Sequence, residues 1–125
     1  MNARRLTLLA ACALAAPAAP AGALPAPVPH QVVTVGAVFA SPEITIFRGD
    51  TLTLTNLDAA LTHDLVSRDY VPGTGVRRFA SSPVTAGGRS DVARVSSLGN
   101  GVYPFLCSLH EGMTGNLRVQ TAPAR

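Results

Sequence analysis

Between Gln31 and Gln120 the chain is written in short runs of period two, cut by turn residues. Thr51-Leu52-Thr53-Leu54-Thr55 is the clearest. Every second residue is Leu, so one face of this strand is buried and the other carries threonine. Glu43-Ile44-Thr45-Ile46-Phe47 alternates in the same way and turns at Arg48-Gly49-Asp50. Val32 to Val35 opens the first strand. Leu61 to Ser67 forms another, with His63 near its start. Asp91 to Val95, Val102 to Cys107 and Gly115 to Gln120 follow, set off by Gly87-Gly88 and Asn100-Gly101. Asp69 to Gly75, with Pro72, Gly73 and Gly75, reads as a loop. No stretch sustains a helical period, and no segment repeats. Seven to eight short strands at this spacing predict an all-β Greek-key β-sandwich of about 100 residues.

The N-terminus follows a different pattern. Arg4 and Arg5, an apolar run from Leu6 to Ala16 and the small residues Ala21-Gly22-Ala23 have the build of a secretory signal peptide, residues 1–23. The run is shorter than the about 20 residues a spanning helix needs. Residues 24–30 read as a Pro/Ala-rich leader outside the core, and 31–121 as the folded domain. The mature protein is therefore expected to be periplasmic or secreted. Leu9-Ala10-Ala11-Cys12 also resembles a lipoprotein cleavage box, which would anchor the chain through Cys12 instead. Arg4-Arg5 is also a twin-arginine pair, in surroundings that suit that signal poorly.

Removing the signal changes the charge balance. The full chain has ten arginines, no lysine and seven acids, a net charge of +3. Without Arg4 and Arg5 it is close to neutral. Beyond that pair the arginines cluster only at Arg77-Arg78, and there are four Phe, two Tyr and no Trp. Nucleic acid is therefore excluded as a partner. The Arg77-Arg78 pair reads as a solvated loop, with partner docking as the alternative.

Cys107 is the only cysteine left once Cys12 leaves with the signal. A lone cysteine in an exported domain is a buried inert thiol, an intermolecular bridge or a metal-bound thiolate. Its neighbours choose among these. Cys107-Ser108-Leu109-His110-Glu111-Gly112-Met113 sets a thiolate, an imidazole and a thioether at three-residue intervals in one tight loop. His63 lies far upstream at the mouth of another predicted strand. Two His, one Cys and a weak axial Met are the donor set of a blue-copper site. Met113 as a core filler and His63 as a turn residue are the bland alternatives. His30, just after Pro29, is expected not to be a ligand, and Tyr103 and Phe105 read as core.

From these residues the chain resembles the cupredoxins, in particular the plastocyanin, pseudoazurin and amicyanin group. The resemblance runs from Val32 to Thr121. Its specific part is Gly101-Val102-Tyr103-Pro104-Phe105-Leu106-Cys107, the His and Met that follow, and Gly115 before a final apolar strand. The two-residue gap between His110 and Met113 matches the short amicyanin-type loop. The resemblance implies one type 1 copper ion, Cu(I)/Cu(II), held by His63, Cys107 and His110 with Met113 axial. It implies a one-electron carrier that docks transiently to periplasmic or surface redox proteins near His110. A monomer is the default expectation, and an enzyme is not expected, because His30, His63 and His110 are the only histidines and further copper sites would need more. Leu61, Leu109 and Met113 are expected to form an apolar collar there. Periplasmic copper storage, delivery or resistance is the alternative function.

Two positions depart from the family pattern. Asp64 stands where Asn commonly follows the first His, and is expected to tie the two ligand loops by bonding Ser108. Leu109 stands where short-loop relatives often have Pro. Unlike Pro, it can offer an N–H to the Cys107 sulfur.

Overall fold

The computed structural model describes residues 25–124, together with 15–17 and 22. Arg4, Arg5, Cys12 and most of the expected signal peptide lie outside the described residues. No helix among the described residues is long and apolar enough to cross a membrane.

Eight strands form two four-stranded sheets: β1 (Pro29–Val35), β2 (Val38–Phe39), β3 (Glu43–Phe47), β4 (Thr51–Asn56), β5 (Val66–Ser67), β6 (Arg89–Asp91), β7 (Gly101–Leu106) and β8 (Thr114–Gln120). One sheet has the order β2-β1-β4-β6, the other β3-β8-β7-β5. Both are mixed, because β1 runs parallel to β4 and β3 parallel to β8. The predicted alternation holds where it was clearest. Leu52 and Leu54 are fully buried, and so are Ile46 and Leu117 from the facing sheet. Phe105 packs edge-on against Phe39, with ring centroids 4.9 Å apart, and Phe79 meets Tyr103 in the same way.

The structure differs from the sequence reading at several strand ends. The run from Leu61 to Ser67 pairs as a strand only at Val66–Ser67, with an isolated bridge from His63 to Val84. Asp91 ends β6, and Val95 belongs to a short 3-10 turn, Val95–Ser97. β2 was not anticipated, since two residues carry no periodicity. β1 begins at Pro29, so Pro29 and His30 belong to the sheet. A proline is tolerated there because β2 covers β1 only at Thr34 and Val35, leaving the start of β1 without a neighbour on that side.

That early start is fastened by one side chain. Asp50, in the turn between β3 and β4, accepts the Val28 and Phe47 N–H groups, each at 2.9 Å, and lies 2.8 Å from His30 Nε2. His30 is therefore occupied away from the candidate metal loop. Burial pushes the Asp50 carboxyl up, but the two backbone donors and His30 outweigh it and hold the group below its ordinary value of 3.8.

Two predictions follow from this packing. A lowered folded-state value stabilises the fold fully above the unfolded carboxylate range, and that stabilisation is lost as pH falls through the folded value. Asp50→Asn should thus lower the urea midpoint at pH 7 and flatten its decline between pH 5 and 3; an unchanged decline would refute the assignment. A Cβ added at Gly115 would meet the Phe105 ring and stand 2.5 Å from the Pro42 carbonyl oxygen. Gly115→Ala should therefore destabilise the domain by about 1–3 kcal/mol, read by thermal or urea unfolding.

Candidate metal centre

β7 carries the chain to the end of the sandwich, and β8 takes it back in antiparallel register, Leu106 opposite Thr114. The intervening loop is closed by its own backbone. Cys107 N–H donates to the Met113 carbonyl at 2.9 Å, and Met113 N–H lies 3.4 Å from the His110 carbonyl. Gly112 supplies a φ of +77°, a left-handed conformation that suits glycine. Three residues of spacing thus become three side chains at one strand end.

His63 arrives from the other direction. Its backbone exchanges both hydrogen bonds with Val84, at 3.0 and 2.7 Å, and its side chain is fully buried. The structure brings His63, Cys107 and His110 together, with one donor atom from each within 4.8 Å of the others. Cys107 Sγ is 3.5 Å from His110 Nδ1 and 3.9 Å from His63 Nδ1. The two imidazole centroids are 4.7 Å apart. His110 is only half-buried, whereas Cys107 is buried. Met113 is also buried and packs in the core cluster, so it is no part of an exposed collar. Leu61 and Leu109 are exposed at 40% and 50%.

Asp64 ties the two loops together. Its carboxylate accepts the Ser108 N–H at 2.6 Å and the Ser108 hydroxyl, while its own N–H points at Cys107 Sγ at 3.5 Å. The Leu109 N–H acts on the same sulfur. Burial raises the Cys107 thiol above its ordinary value; the two N–H donors pull the other way, and the Asp64 charge adds to the rise. A proton thus stays on sulfur until a cation displaces it.

Sequence reasoning missed Asp58 and Asn56. Asp58 accepts the Gly36 N–H at 2.6 Å and contacts His63 Nε2. The Gly36 N–H holds its carboxyl below the ordinary range against some desolvation, with His63 and the Ala37 N–H assisting. An ionised carboxylate can only accept, so Nε2 carries a proton and Nδ1 is the nitrogen left facing the sulfur. Asn56 accepts the Asp58 N–H at 2.9 Å and donates to the carbonyls of Leu61 and Val84 at 2.7 and 2.9 Å. An Asn-x-Asp after a strand was legible as an Asx-type turn. Its link to Gly36 was not.

A buried thiol, two imidazoles with Nδ1 available and backbone donors on the sulfur fit a soft, one-electron metal. Comparison with known proteins agrees. Residues 28–120 match the family described as copper binding proteins, plastocyanin/azurin family. No curated protein matches by sequence. Among solved structures, a reduced Cu(I) form of an amicyanin variant is similar at 20% identity, covering 80% of this chain and 88% of that one, with a TM-score of 0.60. A purple cupredoxin from Nitrosopumilus maritimus is similar at 26% identity, covering 72% and 98%, with a TM-score of 0.56.

The two carboxylates should separate by experiment. Asp58→Ala should weaken copper binding about 10–100-fold in a competition titration, because it frees the His63 ring and its tautomer. Asp64→Ala should cost about 2 kcal/mol of stability by urea unfolding and change the copper spectrum, as it removes the loop tie. An Asp64 variant with unchanged spectrum and stability would show that the tie is idle.

Proposed function

The chain belongs to the plastocyanin/azurin family of copper-binding proteins, and on that premise we propose that it is an exported one-electron carrier whose copper is held by His63, Cys107, His110 and Met113. The observation that carries this reading is the convergence of His63, Cys107 and His110 from two loops onto one buried point. Met113 is the remaining soft donor of the same loop, and its own backbone closes that loop on Cys107. Copper cycling between Cu(II) and Cu(I) supplies the one-electron chemistry.

The chain's own residues do three things. Asp58 and the Val84 pairing hold His63 in one tautomer and one place. Asp64 and Leu109 direct N–H groups at the sulfur, which stabilises its negative charge and favours the reduced state. The fixed scaffold leaves little to rearrange when an electron arrives or departs. His110 is the half-buried imidazole, flanked in the loop by exposed Leu109, which supports contact with a partner at that end. An exposed apolar rim suits brief docking. The signal-peptide pattern of residues 1–23 places the carrier in the periplasm or outside the cell. A monomer acting on other redox proteins, with no substrate bound at the metal, completes the reading.

The test is the visible spectrum of the Cu(II)-loaded mature protein before and after ascorbate. An intense band that bleaches reversibly and is abolished in Cys107→Ser is expected. Because one similar structure is described as purple, the band position is recorded as well as its intensity. A colourless product that binds only Cu(I) would favour copper storage or delivery. Leu109→Pro removes one N–H from the sulfur and should lower the reduction potential by voltammetry; a rise or no change would refute that role.

A further inference from the structure

Beyond the N-terminal Arg4-Arg5, the sequence shows its arginines clustered only as the pair Arg77-Arg78, but the fold gathers four of them on one flank. Residues 68–78 leave β5 and return as a hairpin. Tyr70 bridges to Arg77, Val71 N–H donates to the Val76 carbonyl at 2.8 Å, and Arg78 N–H to the Asp69 carbonyl at 3.2 Å. Arg77 folds back over the Tyr70 ring, 4.3 Å from its centroid, and donates to the Ser67 and Arg68 carbonyls, each at 2.9 Å. Arg94 reaches in from the next segment, donating to the Arg77 and Arg78 carbonyls at 2.7 and 3.3 Å. It does so from a φ of 70°, a left-handed conformation uncommon for a non-glycine residue. Arg68, exposed and tied by its N–H to the Pro104 carbonyl at 2.8 Å, and half-buried Arg78 complete the group.

This is not a face of freely moving charges. Arg77 and Arg94 are each fixed by two carbonyls, and each guanidinium has five N–H donors, so most of each fork is left for a ligand. Among the described residues the ion pairs are His30–Asp50 and His63–Asp58, so none of the four arginines is held in an ion pair with a carboxylate. Asp69 is the one acid within the hairpin, and Asp91, on β6, accepts a bond from the Thr53 hydroxyl. Tyr70 and Val76 add exposed apolar surface, at 47% and 44%.

We infer that this flank is a contact area for the acidic surface of a protein partner, separate from the apolar rim around His110. Planar guanidinium forks held in advance suit bidentate recognition of carboxylates. Arg and Tyr are the residues that anchor protein interfaces. A lipid surface fits less well, because the hairpin tip is Pro72-Gly73-Thr74-Gly75 and carries no bulky apolar side chain to insert. That the partner is also the redox partner rests on the carrier reading above; its acidity does not.

The copper-loaded protein, labelled with nitrogen-15 and kept reduced, is titrated at low ionic strength with polyglutamate and, separately, with phosphatidylcholine vesicles with and without phosphatidylglycerol. Two charge-matched variants are compared: R68E/R78E in the patch, where neither side chain makes a carbonyl bond in the hairpin, and R48E/R118E at exposed arginines elsewhere. Polyglutamate should shift the amides of residues 68–78 and 94. R68E/R78E should weaken it at least about fivefold more than R48E/R118E does, since only the former sets like charge against the ligand. Equal weakening by the two variants would reduce the effect to net charge and overturn the proposal. So would no binding of polyglutamate, or capture by phosphatidylglycerol vesicles alone. The oxidised visible band of both variants is read on the same samples. A lost or absent band there indicts the copper reading, whereas an intact band with no selective binding indicts the docking flank.

Discussion

His63 and Cys107 stand 44 residues apart, and everything at the candidate metal centre depends on how their loops are locked together. The lock starts in the sheet. β5 and β7 pair with Val66 opposite Leu106 and Ser67 opposite Phe105. Continuing that antiparallel register two residues towards the site sets Asp64 opposite Ser108. The Asp64 carboxylate takes both Ser108 donors while its N–H turns to the Cys107 sulfur. One residue thus satisfies its own buried charge and supplies a donor to the atom most in need of one. A neutral Asn could make a similar link, but an anion accepting two donors binds the loops more strongly.

The opposite side of the site is anchored to the other sheet. Asn56 ends β4, receives the Thr34 hydroxyl from β1 at 3.2 Å and holds the Leu61 and Val84 carbonyls that bracket His63 in the structure. Asp58 then spans from the Gly36 turn to the imidazole. His63 is therefore positioned mainly from the β1–β4 sheet, and Cys107, His110 and Met113 from the β7–β8 loop. A metal bound here joins the two layers of the sandwich. Among the described residues no buried side-chain N or O atom lacks a hydrogen-bond partner, so these polar groups sit in the interior without an unmet demand. Rigidity of that kind keeps the rearrangement on electron transfer small.

The legibility of these parts in the sequence follows their range. Cys107, His110 and Met113 declare themselves because their relation is local, three residues at a time. Leu52 and Leu54 declare the buried face of β4 because period two is a property of the strand alone. Asp58 was not legible, since its meaning lies in a turn at Gly36 that only the pairing of β1 with β4 brings near. β2 was hidden by length, and the start of β1 by composition. Pro29 and the alanines before it look like a strap, and what makes Pro29 part of the sheet is a missing neighbour and the Asp50 carboxylate beneath Val28. The expectation of Met113 in an exposed collar failed for a related reason. A thioether near exposed Leu109 in sequence looks like rim, whereas the loop closure on Cys107 draws it inward.

The same distinction between local and assembled features separates the two surfaces of the molecule. The rim by His110 is apolar, and such a surface discriminates weakly between partners because apolar contact is non-directional. Directional discrimination needs charge in fixed places. The arginines on the β5 flank have it: two are fastened to carbonyls, one of those is stacked on Tyr70, and none is held in an ion pair with a carboxylate. A carrier must release its partner quickly, so specificity is better placed in long-range attraction, which speeds encounter, than in a large buried interface, which slows departure. With residues 25–124 carrying as many acids as arginines, gathering four of those arginines on one side creates a field that the net charge conceals. Such a field orients a partner as well as attracting it, and can turn the apolar rim to the side from which an electron can leave.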